Sequence, residues 1–276
     1  MNWGDIAGYW PFALGLMATG AISGVFAGLL GIGGGAILVP ALAYALTWLG
    51  YDSDVIQHIA VGTSLAIIIP TGISSARAHH ARGAVDVGIL RLWAPVIFAA
   101  TLAGGLMAGL YSGAVLRVIF GVMALFIAAN IVLPFQQRLI GHLHSSPLTH
   151  RIFAAIVGYL SALMGVGGGA LSVPTIAALG ATMHKAVGTG AAIGVFIAIS
   201  GSIGFIASGW GVKDLPPLSL GYVNLVALVL VGGLAALTAP LGAALAHRLN
   251  QRTLKLVFAA FLVAVGLNMI WKAVAG

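Results

Sequence analysis

The residues of this chain that could do chemistry are hydrogen-bond donors, and they recur at matching places. The glycine-rich stretch LLGIGGGAILVP at residues 29–40 is nearly repeated as LMGVGGGALSVP at residues 163–174. Each glycine inside a helix costs about 1 kcal/mol relative to alanine, so both runs predict broken helices. Backbone N–H groups at such a break, at the start of the next helix, form a natural anion site. Close packing of small residues is the alternative explanation, and the two equivalent runs, each with a trailing proline, favour the site.

Further donors follow each glycine run. HIAVGTS at residues 58–64 is matched by HKAVGTG at residues 184–190, an offset of 184 − 58 = 126. Hydroxyl groups can hold oxyanion oxygens, and histidine can carry charge or protons near neutral pH. Capping of helix ends at the membrane interface explains the two histidines slightly better than ligand binding does. The complete set of candidate substrate-binding residues is Gly33, Gly34, Gly35, His58, Thr63, Ser64, Gly167, Gly168, Gly169, His184 and Thr189.

The missing residue types narrow the chemistry. The five acidic residues are all aspartates and fall in predicted loops or at segment ends: Asp5, Asp52, Asp54, Asp86 and Asp214. A cation site or a carboxylate proton relay within a membrane is therefore disfavoured. The chain has no cysteine, and the histidines of residues 136–151 are irregularly spaced without an acid, so we predict a solvated loop there and neither metal nor cofactor. Donors without carboxylates indicate an anionic ligand.

Two ligand classes are excluded by pattern. Neither glycine run has the Lys-Ser/Thr pair of a phosphate-binding loop. The net charge of +7 comes from 12 scattered basic residues without a basic stripe, so no nucleic-acid partner is predicted.

Composition determines the environment of these residues. The chain is 61% hydrophobic and 6% charged, whereas soluble domains carry about 25% charged residues. Long apolar runs without alternating ten-residue segments favour helices over a barrel. We therefore predict an all-α integral membrane protein, with a retained first span from Pro11 because no Lys or Arg precedes Arg77.

Ten apolar segments follow one another along the chain. They cover residues 11–30, 36–49, 58–76, 88–111, 115–134, 152–164, 170–182, 185–208, 218–246 and 253–274. Spanning takes about 20 residues, and the short segments flank the glycine runs, so we expect about eight to ten helices with broken ones at the runs.

The two halves of the chain are a duplicated unit. Beyond the motifs, LRVIFG at residues 116–121 matches LKLVFA at residues 254–259, and at the same offset, 138, Gly104 matches Gly242 and Asn130 matches Asn268. We predict a first repeat at 1–135, a cytoplasmic linker at 136–151 and a second repeat at 152–276. Five segments per half is an odd number, which predicts inverted repeats, as in many secondary transporters. Asn130 and Asn268 are expected to form interhelical hydrogen bonds.

Basic residues predict the orientation. The predicted inner loops hold Arg77, Arg82, Arg91, Arg138, Arg151, Lys185, Arg248, Arg252 and Lys255, and the outer side holds Arg117, Lys213 and Lys272. This bias places both termini outside the cell, in a multi-pass protein of the inner (plasma) membrane. The cluster formed by Arg77, His79, His80 and Arg82 mostly sets this topology, and it could also attract anions to an inner mouth.

Two copies of Gly-x-Gly-Gly-Gly before a proline, each followed by Ala-Val-Gly-Thr, resemble the sulfite exporter TauE/SafE family, also called the toluene-sulfonate uptake permease family. The resemblance covers residues 24–270. It implies a transporter of two repeats that moves sulfur-containing anions such as sulfite or organosulfonates. Carried onto this sequence, it implies a site at residues 33–35 and 167–169 with Thr63, Ser64 and Thr189. Gly190 stands at the position equivalent to Ser64, so a symmetric pair of hydroxyls is incomplete.

The predicted function is therefore export of a small sulfur-containing anion by alternating access. We expect the protein to lie in the lipid bilayer as a monomer or a homodimer. An inside-negative cell expels anions without a coupled ion. A transporter or channel for other small anions, such as carboxylates, is the alternative. An intramembrane enzyme is disfavoured, because the Ser-Gly pairs at residues 23–24 and 200–201 follow no glycine of the required pattern and paired aspartates are absent.

Overall fold

A computed structural model describes residues 10–30, 34–133, 146–246 and 251–275 of the chain. Ten α-helices and one short β-hairpin lie in these ranges. They are α1 (Trp10–Leu30), α2 (Gly35–Trp48), α3 (Ser53–Ala81), α4 (Val87–Ala108), α5 (Gly113–Val132), α6 (Pro147–Met164), α7 (Gly168–Ala178), α8 (Met183–Ser208), β1 (Ser219–Leu220), β2 (Val223–Asn224), α9 (Leu225–Ala246) and α10 (Gln251–Val274). Seven of the helices, α3 to α6 and α8 to α10, are long and apolar enough to cross a membrane. The prediction of an all-α membrane protein is confirmed.

Helices α2 and α7 follow the glycine runs and are short. With 14 and 11 residues, they extend about 21 and 16 Å, against the ~30 Å of a bilayer's hydrocarbon core. Each contains the proline of its motif, Pro40 or Pro174. Neither is long enough to cross a bilayer alone.

Helix α6 begins earlier than the sequence predicted. Ser146 caps it by accepting from the Thr149 N–H, and Pro147 occupies its first turn, so the end of the predicted linker is helical. The expectation of a solvated loop is wrong for His150, which is 9% exposed and accepts a 2.9 Å hydrogen bond at Nδ1 from Trp93 Nε1. The buried indole N–H needs an acceptor, and His150 provides it. The other linker histidines, His142 and His144, lie outside the described residues.

The helices of the two halves pack reciprocally. The first helix of each half packs against the fourth helix of the other, which pairs α1 with α9 and α6 with α4. The third helices, α3 and α8, pack against each other, and so do the fifth helices, α5 and α10. Neither half could therefore bury its helix faces without the other.

Equivalent helices α3 and α8 run in opposite directions. Near the start of α3, His58 Nε2 lies 3.0 Å from the carbonyl oxygen of Ala108, the last residue of α4. Near the start of α8, Thr189 Oγ1 accepts from the N–H of Asp86, which caps the start of α4. The two starts thus lie at opposite ends of the bundle. We call the end with the start of α3 and the β-hairpin the hairpin end, and the end with the starts of α6 and α8 the linker end.

The connection from the third to the fourth helix differs between the halves. It covers residues 82–86 in the first half and residues 209–224 in the second. The longer connection contains the hairpin, in which Ser219 pairs with Asn224 and Leu220 with Val223. Helix α9 therefore begins at Leu225 and not at residue 218 as the hydropathy suggested.

Candidate functional site

The two glycine breaks meet inside the bundle. Helix α6 ends at Met164, Gly165 takes the left-handed conformation with φ 68°, and α7 begins at Gly168. A Cβ placed on Gly35, the first residue of α2, would lie 2.6 Å from the Gly165 carbonyl oxygen and 2.9 Å from Val166 Cα. Only glycine permits this approach of the two backbones. Gly33 lies outside the described residues.

The starts of α2 and α7 point their backbone N–H groups into this region. Their N-cap residues are Gly34, with φ 72°, and Gly167, and neither helix start has a side-chain cap. Helix α2 runs from the breaks to the hairpin end, where the turn into α3 follows, and α7 runs to the linker end. Gly168 and Gly169 are the first two residues of α7. Two positive helix-dipole ends thus face a common interior, and such an arrangement stabilises an anion.

One face of α3 covers the breaks. The Ser64 hydroxyl donates a 2.8 Å hydrogen bond to the Gly165 carbonyl oxygen. A Cβ on Gly165 would lie 2.9 Å from Val61 Cα, and a Cβ on Gly35 would lie 3.0 Å from Ile68 Cδ1. The predicted site residue Ser64 is therefore brought to the second break, where it holds the turn.

Thr63 and Thr189 join the two halves. Thr63 Oγ1 accepts from the backbone N–H of Asn224 at 2.9 Å, and Thr189 Oγ1 accepts from that of Asp86 at the same distance. Each N–H belongs to the residue whose side chain caps the fourth helix of the other half: Asn224 Oδ1 accepts from Ala227, and Asp86 Oδ1 accepts from Ile89. Both threonines are fully buried. These contacts use each hydroxyl as an acceptor and leave its proton free to donate.

The glycines before these threonines allow the contact. A Cβ on Gly62 would lie 2.7 Å from the Tyr222 carbonyl oxygen, and a Cβ on Gly188 would lie 2.5 Å from that of Ala84. In each AVGT motif the glycine thus allows the close backbone approach and the threonine accepts the hydrogen bond from the other half. We call each of these two contacts a clasp.

The structure does not bring the two predicted histidines to the breaks. His58 is 3% exposed at the hairpin end, about 9 Å along α3 from Ser64. Its Nδ1 contacts the Asp54 carbonyl at 2.8 Å, and its Nε2 contacts those of Ala108 and Tyr111. All three partners are backbone carbonyl oxygens, which only accept, so a ring N–H donates to the backbone at this end of α3 whichever ring nitrogen carries it. The ring also stacks on Tyr222, with centroids 4.7 Å apart. His58 thus holds the end of α4, as helix capping predicts.

His184 lies at the opposite end of the bundle. It is the second residue of α8 and is exposed to the surroundings at the linker end. The two histidines are therefore equivalent in sequence but differ in environment.

Sequence reasoning missed the partners of the threonines. Asp86 and Asn224 are separated by 224 − 86 = 138, the offset that also relates Gly104 to Gly242. That signal could have paired them as equivalent helix caps. The interhelical hydrogen bond predicted for Asn268 is confirmed: its Oδ1 accepts from the Tyr44 hydroxyl at 2.6 Å.

The interior near the breaks offers neutral hydrogen-bonding groups. Ser161, one turn before Gly165, and Ser172, one turn after Gly168, are fully buried, and their hydroxyls have no partner among the described residues. The buried polar side chains of the described ranges are Ser, Thr, Gln, His and Asn, with no Asp, Glu, Lys or Arg. The described aspartates lie at helix starts or in the loop at residue 214. The arrangement can therefore bind an anion through dipoles and hydrogen bonds, without a formal countercharge.

Interlocked helices with two breaks meeting in a donor-lined interior define a multi-pass membrane protein of the transporter class. The family model described as "Sulfite exporter TauE/SafE" matches residues 16–269. The chain belongs to this family of membrane transporters.

Curated relatives agree with this class. A protein of Haemophilus influenzae named "Probable membrane transporter protein" is 36% identical over 261 residues, which cover 95% of this chain and 99% of the relative. A Bacillus subtilis protein of similar name is 29% identical, covering 94% of this chain and 97% of its own. One from Methanocaldococcus jannaschii is 24% identical, covering 92% and 94%. No solved structure matches the chain.

Proposed function

We propose that this protein exports small sulfur-containing anions, such as sulfite or organosulfonates, by alternating access around the two glycine breaks. The observation that carries the proposal is the contact of the breaks, in which Gly35 lies so close to the Gly165 carbonyl that an added Cβ would be 2.6 Å from its oxygen. Two helix starts without side-chain caps converge there. The family description supplies the substrate class.

In the proposed site, backbone N–H groups bind the anionic head. The donors would be those of Gly33, which lies outside the described residues, of Gly34 and Gly35, and of residues 167–169. Ser64 lies on the face of α3 that covers the breaks. Thr63 and Thr189 would contribute the hydroxyl protons that their backbone contacts leave free. The histidines His58 and His184 would act at the two ends and not on the bound anion.

Alternating access would follow from an inverted repeat. The reciprocal packing of the halves and the opposite directions of α3 and α8 support that arrangement. The clasp between Thr63 and Asn224 joins the halves towards the hairpin end, and the clasp between Thr189 and Asp86 joins them towards the linker end. Rocking of one half against the other would loosen one clasp while the other stays closed, so that the site faces one end at a time.

The distribution of basic residues supports an orientation with the hairpin end outside. The described basic residues near the linker end are Arg77, Arg82, Arg91, Arg151, Lys185, Arg252 and Lys255, and those near the hairpin end are Arg117, Lys213 and Lys272. Both termini of the described chain lie at the hairpin end, so they would lie outside a plasma membrane whose inner face attracts positive loops.

The test is transport by the purified protein in liposomes. Sulfite, an aromatic sulfonate, acetate and chloride are compared in wild type, in Gly35→Val and in the control Gly233→Val, whose added Cβ would meet nothing within 4 Å. Saturable movement of a sulfur anion by wild type and the control, lost in Gly35→Val, is expected. If only acetate or only chloride moved, that anion would be the substrate and the assignment of a sulfur-containing substrate would be wrong. Movement of none of them would contradict the transport proposal.

A further inference from the structure

The side-chain amide of Gln57 is the most unusual polar group in the described interior. Gln57 is 0% exposed in α3, and neither its Nε2 nor its Oε1 has a hydrogen-bond partner among the described residues. Buried side-chain polar atoms are normally hydrogen-bonded, to protein or to another polar molecule. The adjacent residue His58 has both ring nitrogens in contact with carbonyl oxygens, so polar groups on this turn of α3 can find protein partners.

Gln57 belongs to the face of α3 that covers the glycine breaks. Residues 57, 61, 64 and 68 lie within about 60° of one another around the helix axis. Val61 and Ser64 contact Gly165, and Ile68 lies next to Gly35. The Gln57 amide therefore lies one turn from the breaks, on their hairpin side, where an anion would pass between the site and that end of the bundle.

The duplicated unit does not need an amide at this position. The equivalent of Gln57 in the second half is residue 57 + 126 = 183, which is Met183 and is exposed. A polar side chain is thus present in one half only, at a buried place where it lacks protein partners. This asymmetry favours a role in the ligand pathway over a role in building the repeat.

We propose that Gln57 is a specificity-determining residue that selects an oxyanion with a single negative charge and one O–H group. The inference rests on the proposed transport function and deepens it. A carboxamide presents an N–H donor and a carbonyl acceptor side by side. A ligand that satisfies both must offer an acceptor and a donor together, as an S–O oxygen and an O–H group of a protonated oxyanion do.

The charge of the surroundings selects the same species. No Lys or Arg side chain is buried among the described residues, so a second negative charge on the ligand would enter the interior without a countercharge. Hydrogensulfite, the singly protonated form of sulfite, has the required charge and the required O–H. Methanesulfonate has the same charge and three S–O oxygens but no O–H, so it can satisfy the donor of Gln57 and not its acceptor.

The experiment compares these two anions in liposomes, at a pH where hydrogensulfite predominates over sulfite. Gln57→Met places in α3 the residue type found at the equivalent position of the other half, with similar length and no amide. Hydrogensulfite loses two hydrogen bonds in this variant and methanesulfonate loses one, so we expect transport of hydrogensulfite to fall about tenfold further than transport of methanesulfonate, relative to wild type. The control Met183→Gln should transport both anions like wild type.

Thermal unfolding of the same purified variants separates a ligand role from a structural one. If Gln57 serves the ligand, Gln57→Met should unfold at the wild-type temperature or above it, because a buried amide without a protein partner is removed. A lower unfolding temperature, or equal losses for the two anions, would overturn the specificity proposal while leaving the transport function standing. If wild type moves neither anion, both proposals fall together.

Discussion

Single hydroxyl groups link the two halves of this protein at two points. Thr63 and Thr189 each accept the backbone N–H of a residue that caps a helix of the other half. Replacing either by valine keeps the shape of the side chain but leaves an N–H without an acceptor, buried at Asn224 and partly buried at Asp86, at a cost of about 1–3 kcal/mol or less where water can reach it. We expect Thr63→Val and Thr189→Val each to lower the unfolding temperature in detergent.

The serine variants provide the control for this prediction. Thr63→Ser and Thr189→Ser keep the hydroxyl and should stay near wild type in stability. If the valine variants unfold like wild type but no longer bind substrate, the hydroxyls act on the ligand and the clasp contributes little.

The two equivalent histidines should differ strongly in their effect on stability. His58→Leu removes the partner of carbonyls on α3, on α4 and in the following turn, all in a buried place. We expect the free energy of unfolding to fall by about 1–3 kcal/mol in this variant. His184→Leu changes an exposed residue and should stay within about 0.5 kcal/mol. Unfolding of the two purified variants side by side measures the difference; equal stabilities would contradict a capping role for His58.

Residue types were predictable here, and residue partners were not. The donors could be recognised from the sequence because glycine runs and hydroxyl side chains are unusual within apolar segments and recur at matching positions. Their partners depend on how distant helices pack, and α3 meets Asn224 only because the halves interlock. The offset of 138 contained part of this information, since it equates Asp86 with Asn224. The sequence shows that Met183 stands at the position equivalent to Gln57, but it does not show that the Gln57 amide is buried without a partner among the described residues.

Among the helices, the short pair α2 and α7 depends most on glycine. A Cβ on Gly35 would meet the backbone of Gly165 and Val166, which cannot move aside as a flexible side chain can. We expect Gly35→Ala to push the breaks apart and to abolish transport or folding. Gly15→Ala is the matched control, because its Cβ would meet nothing within 4 Å, and alanine favours a helix by up to about 1 kcal/mol. Expression level, unfolding temperature and anion transport are compared; a fully active Gly35→Ala would mean that the breaks do not need close contact.

Hydropathy located the helices well and their starts less well. Helix α6 begins at Pro147 because Ser146 and Pro147 form a good helix start, although Thr149, His150 and Arg151 are polar. Helix α9 begins late because the apolar residues before it form the hairpin, whose Tyr222 packs on His58. In both cases the helix start is set by a local cap or by a contact with a distant residue, and neither can be read from the average hydrophobicity of a segment.

For the protein as a whole, the orientation in the membrane can be tested directly. The chain has no cysteine, so single introduced cysteines report without background. Lys213 is exposed at the hairpin end and His80 is exposed at the linker end, so the variants Lys213→Cys and His80→Cys place one thiol at each end. We expect a membrane-impermeant maleimide to label Lys213→Cys in intact cells and His80→Cys only after permeabilisation. The reverse pattern would invert the proposed orientation, with both termini inside.

Membrane potential should drive the proposed export. The described interior contains no buried carboxylate to bind a coupled cation, so an anion moving alone would carry its charge across the membrane. One charge crossing 100 mV gains about 2.3 kcal/mol, equivalent to about a fiftyfold concentration ratio. Liposomes loaded with hydrogensulfite, with a potassium gradient and a potassium ionophore to set the potential, should therefore empty faster when the interior is negative than when it is positive. Equal rates under both polarities would contradict movement of the anion alone and would show that a second ion compensates its charge.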